Sequence, residues 1–258
     1  MIFDTHTHYD DEAFDEDREQ LLNCFEENGI EAVTNVGASM KSSRQTLELT
    51  KQYPHVYGAI GVHPNETGEL NEENINWLRE NASMKKIVAI GEIGLDYYWD
   101  EPDHDTQKTW FIRQLNLARE TSLPVIIHSR DAAKDTLDIM KEEQASDIGG
   151  VIHCFSYGKE MAREYLSMGF YLGIGGVLTF KNAKKLKEVV DYMPMDQMVL
   201  ETDCPYLAPD PNRGKRNSSL YLPYVVDAVS QIKKISKDEV IEITNRNAKR
   251  LYRLTRHD

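Results

Sequence analysis

A chain of 258 residues with a hydrophobic fraction of 40% can bury a large core, so neither disulfides nor metals are needed to hold it folded. Its formal net charge of −13 opposes extended contact with a polyanion, which calls for a basic stripe. An acidic enzyme that admits one strand end into a locally positive pocket stays open.

The N-terminal stretch MIFDTHTHYDDEAFDED lacks the basic and apolar regions of a signal peptide, and no apolar run reaches membrane-spanning length. The three cysteines, Cys24, Cys154 and Cys204, form no CxxC pair. These features predict a cytoplasmic protein in a reducing compartment, with no membrane contact and no obligate protein partner.

In chain order, β-rich runs are predicted at 2–8, 32–38, 56–63 and 87–96, then at 124–130, 150–155, 171–176 and 198–205. Residues 41–52 offer little helical pattern beyond Leu47 and Leu49. After the fourth strand, Phe111, Leu115 and Ala118 share a helical face. Ala133, Leu137 and Met140 do so after the fifth, and Ala183, Leu186, Val190 and Met193 after the seventh. Leu222, Val225, Val229 and Ile232 repeat that spacing, and a last helix carries Val240, Ile241, Ile243, Ala248 and Leu251. Eight β-then-α units without a compositional break imply parallel strands with right-handed crossovers. Length and the count of eight favour a (β/α)₈ TIM barrel, a single α/β domain over 1–258, above an open doubly wound sheet.

The polar residues that interrupt the strands carry the chemistry. His6 and His8 end the first strand on one side, Glu92 lies in the fourth, His128 and His153 end the fifth and sixth, and Asp203 ends the eighth. In a closed barrel such residues converge at the C-terminal mouth. Parity puts Ile126, His128 and Arg130 on one face, Val151, His153 and Phe155 on another, and Glu201 with Asp203; it sends Cys154 and Cys204 into the helix layer as packed thiols. Imidazoles and carboxylates suit divalent metals, and six ligands exceed what one tetrahedral ion takes. Two ions, from Mg, Mn, Zn or Ni, are therefore expected. A bound water would act as hydroxide, with Asp203 as ligand and proton acceptor. A lone HxH is often incidental; five strands ending in metal-compatible groups are not, because buried charges must be paired or ligated.

On these residues the chain resembles the TatD family of metal-dependent hydrolases. DTHTH (4–8), GVHP (61–64), GEIGLDYY (91–98), HSRDA (128–132), HCFS (153–156), LETDCPYL (200–207), GKRN (214–217) and NRNAKRLY (245–252) match in order across the chain. The resemblance implies phosphodiester hydrolysis, described for several members as DNase activity from the 3′ end of single strands. It implies that His6 and His8 bind one metal, Glu92 bridges, His128 and His153 hold the second, and Asp203 joins the first beside the catalytic water. One departure is Asn217-Ser218-Ser219 where the family usually has Asn-Glu-Pro; Ser218 or Ser219 can still cap the following helix.

Further residues have two readings each. His63 is expected to bond a substrate phosphate or to cap a loop, and Arg130 to pair with phosphate or with a neighbouring carboxylate. Asn217 joins them as a candidate substrate contact, and Arg216 is expected near the same mouth. Tyr97 and Tyr98 would stack a base or pack under a loop. Gly173, Gly175 and Gly176 fit close backbone packing better than a phosphate cradle. The leading function is a metal-dependent phosphodiesterase, a deoxyribonuclease that trims single-stranded nucleic acid from the 3′ end. The alternative is a dinuclear hydrolase of small amides, lactones or phosphate esters. A non-catalytic binding protein is disfavoured by the complete ligand set.

Overall fold

The computed structural model describes residues 1–254. Eight strands follow one another: β1 (Ile2–Thr7), β2 (Ile30–Val36), β3 (Val56–Ile60), β4 (Ile87–Asp96), β5 (Val125–Arg130), β6 (Gly150–Ile152), β7 (Tyr171–Ile174) and β8 (Met198–Leu200). They pair in that order, all parallel. The ring closes between its ends: Thr5 Oγ1 donates to Leu200 O, the Asp203 amide to His6 O and the His8 amide to Cys204 O. This is the expected (β/α)₈ barrel.

Alternation builds two apolar layers. Ile126, Val151 and Val199 point inward with Phe3, Ala32 and Val88. Their neighbours Val125, Ile127, Ile152, Met198 and Leu200 point outward, into a layer shared with Phe111, Leu115, Leu137 and Val229 from the helices. The helices are α1 (Arg18–Asn23), α2 (Met40–Gln52), α3 (Glu72–Asn81), α4 (His104–Thr121), α5 (Ala133–Glu142), α6 (Lys159–Ser167), α7 (Lys184–Tyr192), α8 (Leu222–Lys233) and α9 (Lys237–Leu251). From the end of the chain, Ala248, Leu251 and Tyr252 pack into the inner layer beside Phe3, and Tyr252 donates its hydroxyl to Thr5 O. They plug the barrel where the strands begin, leaving the opposite end open.

Several boundaries differ from the periodicity. The sixth, seventh and eighth strands stop at Ile152, Ile174 and Leu200, short of 155, 176 and 205. Backbone at Cys154 and Asp203 takes positive φ, 45° and 57°, which turns the chain over the mouth. Parity therefore fails past Ile152. Phe155 joins the outer layer, away from His153. Cys154 is partly exposed, and burial with the carboxylates of Asp203, Glu201 and Glu92 pushes its thiol well up. It sits at the mouth, not in the helix layer, whereas Cys204 is buried in that layer as expected.

Helix α2 is complete despite its weak pattern because its inner face uses Ser43, Thr46 and Thr50 as well as leucines. Its start is fixed by the Ser39 side chain accepting from the Ser42 amide. Helices α3 and α6 bury only Ile75 and Leu78, and Ala162 and Tyr165, too few apolar positions to register as a period.

Candidate metal centre

The open mouth gathers His6 and His8 from β1, Glu92 from β4, His128 from β5, and His153 and Asp203 from the turns after β6 and β8. His6 Nε2 and His8 Nε2 stand 3.1 Å apart. They lie 3.4 and 3.8 Å from Glu92 Oε2, and 3.7 and 3.3 Å from Asp203 Oδ1. On the other side, His128 Nδ1 and His153 Nε2 each lie 2.8 Å from Glu92 Oε1 and 3.2 Å from one another. One carboxylate thus turns its two oxygens toward two separate pairs of imidazoles.

The outer nitrogens decide which lone pairs face inward, because a neutral imidazole holds one proton. His8 Nδ1 is 2.9 Å from the Val36 carbonyl, which can only accept, so the lone pair is on Nε2, facing the centre. His128 Nε2 is 3.1 Å from Asp96 Oδ2, which leaves the lone pair on its inward Nδ1. His153 Nδ1 faces Glu201 Oε1 at 3.7 Å, and Glu201 groups with both His6 and His153 behind the centre. Partners of this kind orient metal-ligating imidazoles and raise their basicity.

His63 is wired the opposite way. Its Nδ1 accepts from the Asn65 amide at 3.1 Å, so the neutral ring carries its proton on Nε2, which lies 3.8 Å from Glu92 Oε1. Although it clusters with Glu92 and His128, it presents a donor where they present lone pairs. Burial and the neighbouring His128 push its pKa down to about 3, so the ring stays neutral.

Charge is concentrated and paired. Burial alone would raise Glu92, but His153, His128 and His6 outweigh it and hold the carboxylate well below the usual range. Burial likewise opposes ionisation of Asp203, yet His8, His6 and His153 keep its carboxyl low. Burial pushes His8 down, but Asp203 and Glu92 lift it to about 9. His8, His128 and His153 thus favour a protonated ring, whose inward proton an incoming cation would displace to free the lone pair. Burial and His153 instead push His6 down toward the neutral form. The donors are nitrogen and carboxylate oxygen, their lone pairs converge, and outer hydrogen bonds already fix two of the rings, His8 and His128. This set fits divalent metals.

The remaining expected residues separate. Arg130 lines the cavity above the centre, its guanidinium 3.8 Å over the Tyr98 ring, and among the described residues it makes no ion pair. Asn217 is fully buried and donates to Thr202 O and Tyr206 O while accepting from the Ser218 amide. Its amide braces the loop after β8 and does not reach the cavity, contrary to a substrate contact. Arg216 pairs with Asp17 through both terminal nitrogens and covers Phe14, so it too is withdrawn from the mouth. Tyr97 stacks on His104 and donates to Asp135, which makes it a packing residue.

Gly176 serves close backbone packing, since a Cβ would meet Leu207 O, whereas Gly173 makes room for a side chain, the Glu201 carboxylate, whose Oε2 a Cβ would meet. Ser218 caps the turn before α8, accepting from the Leu220 amide. Ser219 Oγ donates to Asp4 Oδ2 at 2.7 Å, beneath the loop carrying Asp203. Sequence reasoning passed over Asp96 and gave Glu201 only a parity. Asp96 shares the strand with Glu92, four residues on, and ends β4 opposite Arg130, a signal that was available.

The family model for TatD related DNase matches residues 3–253. The chain belongs to this family. Within it, the TatD-family chain is 44% identical over 254 residues to the metal-dependent hydrolase YabD of Bacillus subtilis, covering 98% of this chain and 100% of the relative. It is 32% identical over 248 residues to a Rahnella protein named 3′-5′ ssDNA/RNA exonuclease TatD, with 94% of each covered. The crystal structure of YJJV, a TatD homologue from Escherichia coli, superposes with a TM-score of 0.92 at 27% identity over 98% of both chains. The protein is a metal-dependent hydrolase of the TatD family. Among the described residues no helix is long and apolar enough to cross a membrane.

Proposed function

We propose that this TatD-family hydrolase is a dinuclear phosphodiesterase that trims single-stranded nucleic acid from its 3′ end. The observation that carries the reading is the division of Glu92 between two imidazole pairs, under a cavity of about 730 Å³ that Arg130 and His63 also line. His6, His8, Glu92 and Asp203 would hold one ion, and Glu92, His128 and His153 the other. When bound, two divalent ions polarise a phosphoryl oxygen and lower the pKa of water at the site.

The chain's own groups do the rest. Asp203, ionised and 16% exposed at its side chain, stands at the edge of the centre, where it can accept the proton of an attacking water. His63 donates its Nε2 proton to a non-bridging phosphate oxygen, and the Arg130 guanidinium holds the phosphate of the strand. The Rahnella relative's name supports a strand end as substrate, and three free cysteines suit a cytosolic setting.

The test uses 5′-labelled single-stranded oligonucleotides with Mg, Mn, Zn or Ni. A ladder of products shortened from the 3′ end is expected. No cleavage with any of these metals, beside saturable turnover of a small ester or amide, would replace this reading with that of a small-molecule hydrolase.

A further inference from the structure

Large exposed apolar side chains are not spread evenly over this molecule. Among the described residues, Trp99, Tyr206 and Leu207 are 55%, 54% and 40% exposed and line the cavity above the centre, and Tyr98, 54% exposed, lies beneath Arg130. Solvated aromatic surface gathered at one mouth marks a contact with a ligand that has apolar faces.

Trp99 and Tyr206 reach that mouth from opposite sides. Trp99 follows β4, whose neighbour is β5, and Tyr206 follows β8, which closes on β1; in a ring of eight ordered strands these pairs are half a turn apart. The segment that carries each ring is anchored to the half of the centre beside it. The Tyr98 amide donates to Asp96 Oδ1, and Asp96 also accepts from His128. The Tyr206 amide donates to Asp203 O, and its carbonyl accepts from Asn217. Tyr98 and Trp99 meet edge to face, with ring centroids 4.9 Å apart. The backbone beside each ring is thus tied to the centre, through Asp96 and His128 on one side and Asp203 on the other, while the rings remain exposed.

Resting on the phosphodiesterase reading, we propose that Trp99 and Tyr206 are the specificity-determining residues for unpaired nucleobases, one stacking a base on each side of the scissile phosphodiester. Charge supports this occupant: Arg130 stands on the Trp99 side, where the phosphate-bearing strand would run. Asp10 and Asp11 line the Tyr206 side, where a terminal nucleoside brings hydroxyls and no further phosphate. Base–aromatic stacking needs a free π-face, so paired bases must first open. This arrangement selects single strands without reading sequence.

The experiment compares oligonucleotides that carry an abasic sugar on one or the other side of the cleaved bond. In the wild-type protein each abasic substitution should lower kcat/KM roughly tenfold, the scale of one stacked base. Trp99→Ala and Tyr206→Ala should each lose a similar factor on the intact strand, and each should become indifferent to removal of the base it stacks. Trp99→Phe and Tyr206→Phe, which keep a ring, should restore most of the loss. Wild-type kcat/KM in both alanine variants, or abasic losses that persist undiminished in them, would overturn the proposal. Quenching of tryptophan fluorescence by single-stranded oligonucleotide, present in the wild type and absent in Trp99→Phe, reads stacking without turnover. Such quenching without cleavage would sink the nuclease reading alone; cleavage with no dependence on either ring would sink the stacking alone.

Discussion

Asp203 and Asp4 show how burial gives two carboxyls at the seam of β1 and β8 different work. Asp203 is kept ionised by His8, His6 and His153 against burial, so it is available to take a proton. Asp203→Asn keeps an oxygen at the position but cannot accept that proton; kcat should fall roughly 10²-fold or more with the fold intact by circular dichroism. A variant with near wild-type kcat would remove Asp203 from the chemistry. Asp4 is wholly buried, and that burial raises its carboxyl from 3.8 to about 7 despite hydrogen bonds from Ser219, Thr202 and the His6 amide. The folded state therefore favours its protonated form. Its contribution to stability is full below the unfolded pKa near 4 and is lost as pH rises toward about 7, a change on the order of a few kcal/mol. Asp4→Asn cannot ionise, so its stability deficit relative to the wild type should shrink between pH 5 and pH 8. Urea denaturation of both proteins in chelator measures this; a deficit that stays constant with pH would exclude Asp4 as the titrating group.

At the scale of elements, the mouth is shaped by strands that end early. β6, β7 and β8 run for only three or four residues, and the freed chain folds inward so that His153, Glu201 and Asp203 meet residues of β1 and β4. β7 takes part by what it lacks. At Gly173 a Cβ would come within 2.2 Å of Glu201 Oε2, and Glu201 backs His6 and His153 from behind. Gly173→Ala should cost about 1–3 kcal/mol through overpacking. It should also weaken metal binding at both halves of the centre, since displaced outer partners typically cost 10–100-fold in affinity. Thermal melts and calorimetric metal titration read the two effects separately. Unchanged metal affinity in a destabilised variant would mean that Glu201 fills space without orienting the rings.

For the whole molecule, the barrel core and the centre are independent. The inner and outer layers are apolar and continuous, so chelation should abolish hydrolysis while leaving the melting cooperative and the circular dichroism spectrum in place. Activity that survives excess chelator would contradict metal dependence. The net charge of −13 and the withdrawal of Arg216 onto Asp17 leave few cations to follow a strand. Affinity for single strands should level off beyond a few nucleotides, with a shallow dependence on salt. A length series at several salt concentrations tests this, and internal cutting of long duplex with a steep salt slope would argue against it.

The eight strands and the six candidate ligands were legible from the sequence because alternation and the position of polar groups in apolar runs are local patterns, and a barrel has one mouth where such residues meet. The family motifs made the same residues stand out independently. What the sequence could not decide depends on distances between chain segments far apart in number. Which oxygen of Glu92 faces which imidazole, that Val36 O and Asp96 set the inward nitrogens of His8 and His128, and that His63 presents a donor in place of a lone pair are facts of tertiary contact. The same holds for Asn217 and Arg216, whose polar groups looked free in the sequence and are taken up by Thr202, Tyr206 and Asp17. Trp99 and Tyr206 lie 107 residues apart in number, and only closure of the ring, which sets β4 and β8 on opposite sides of one opening, brings them to the same cavity.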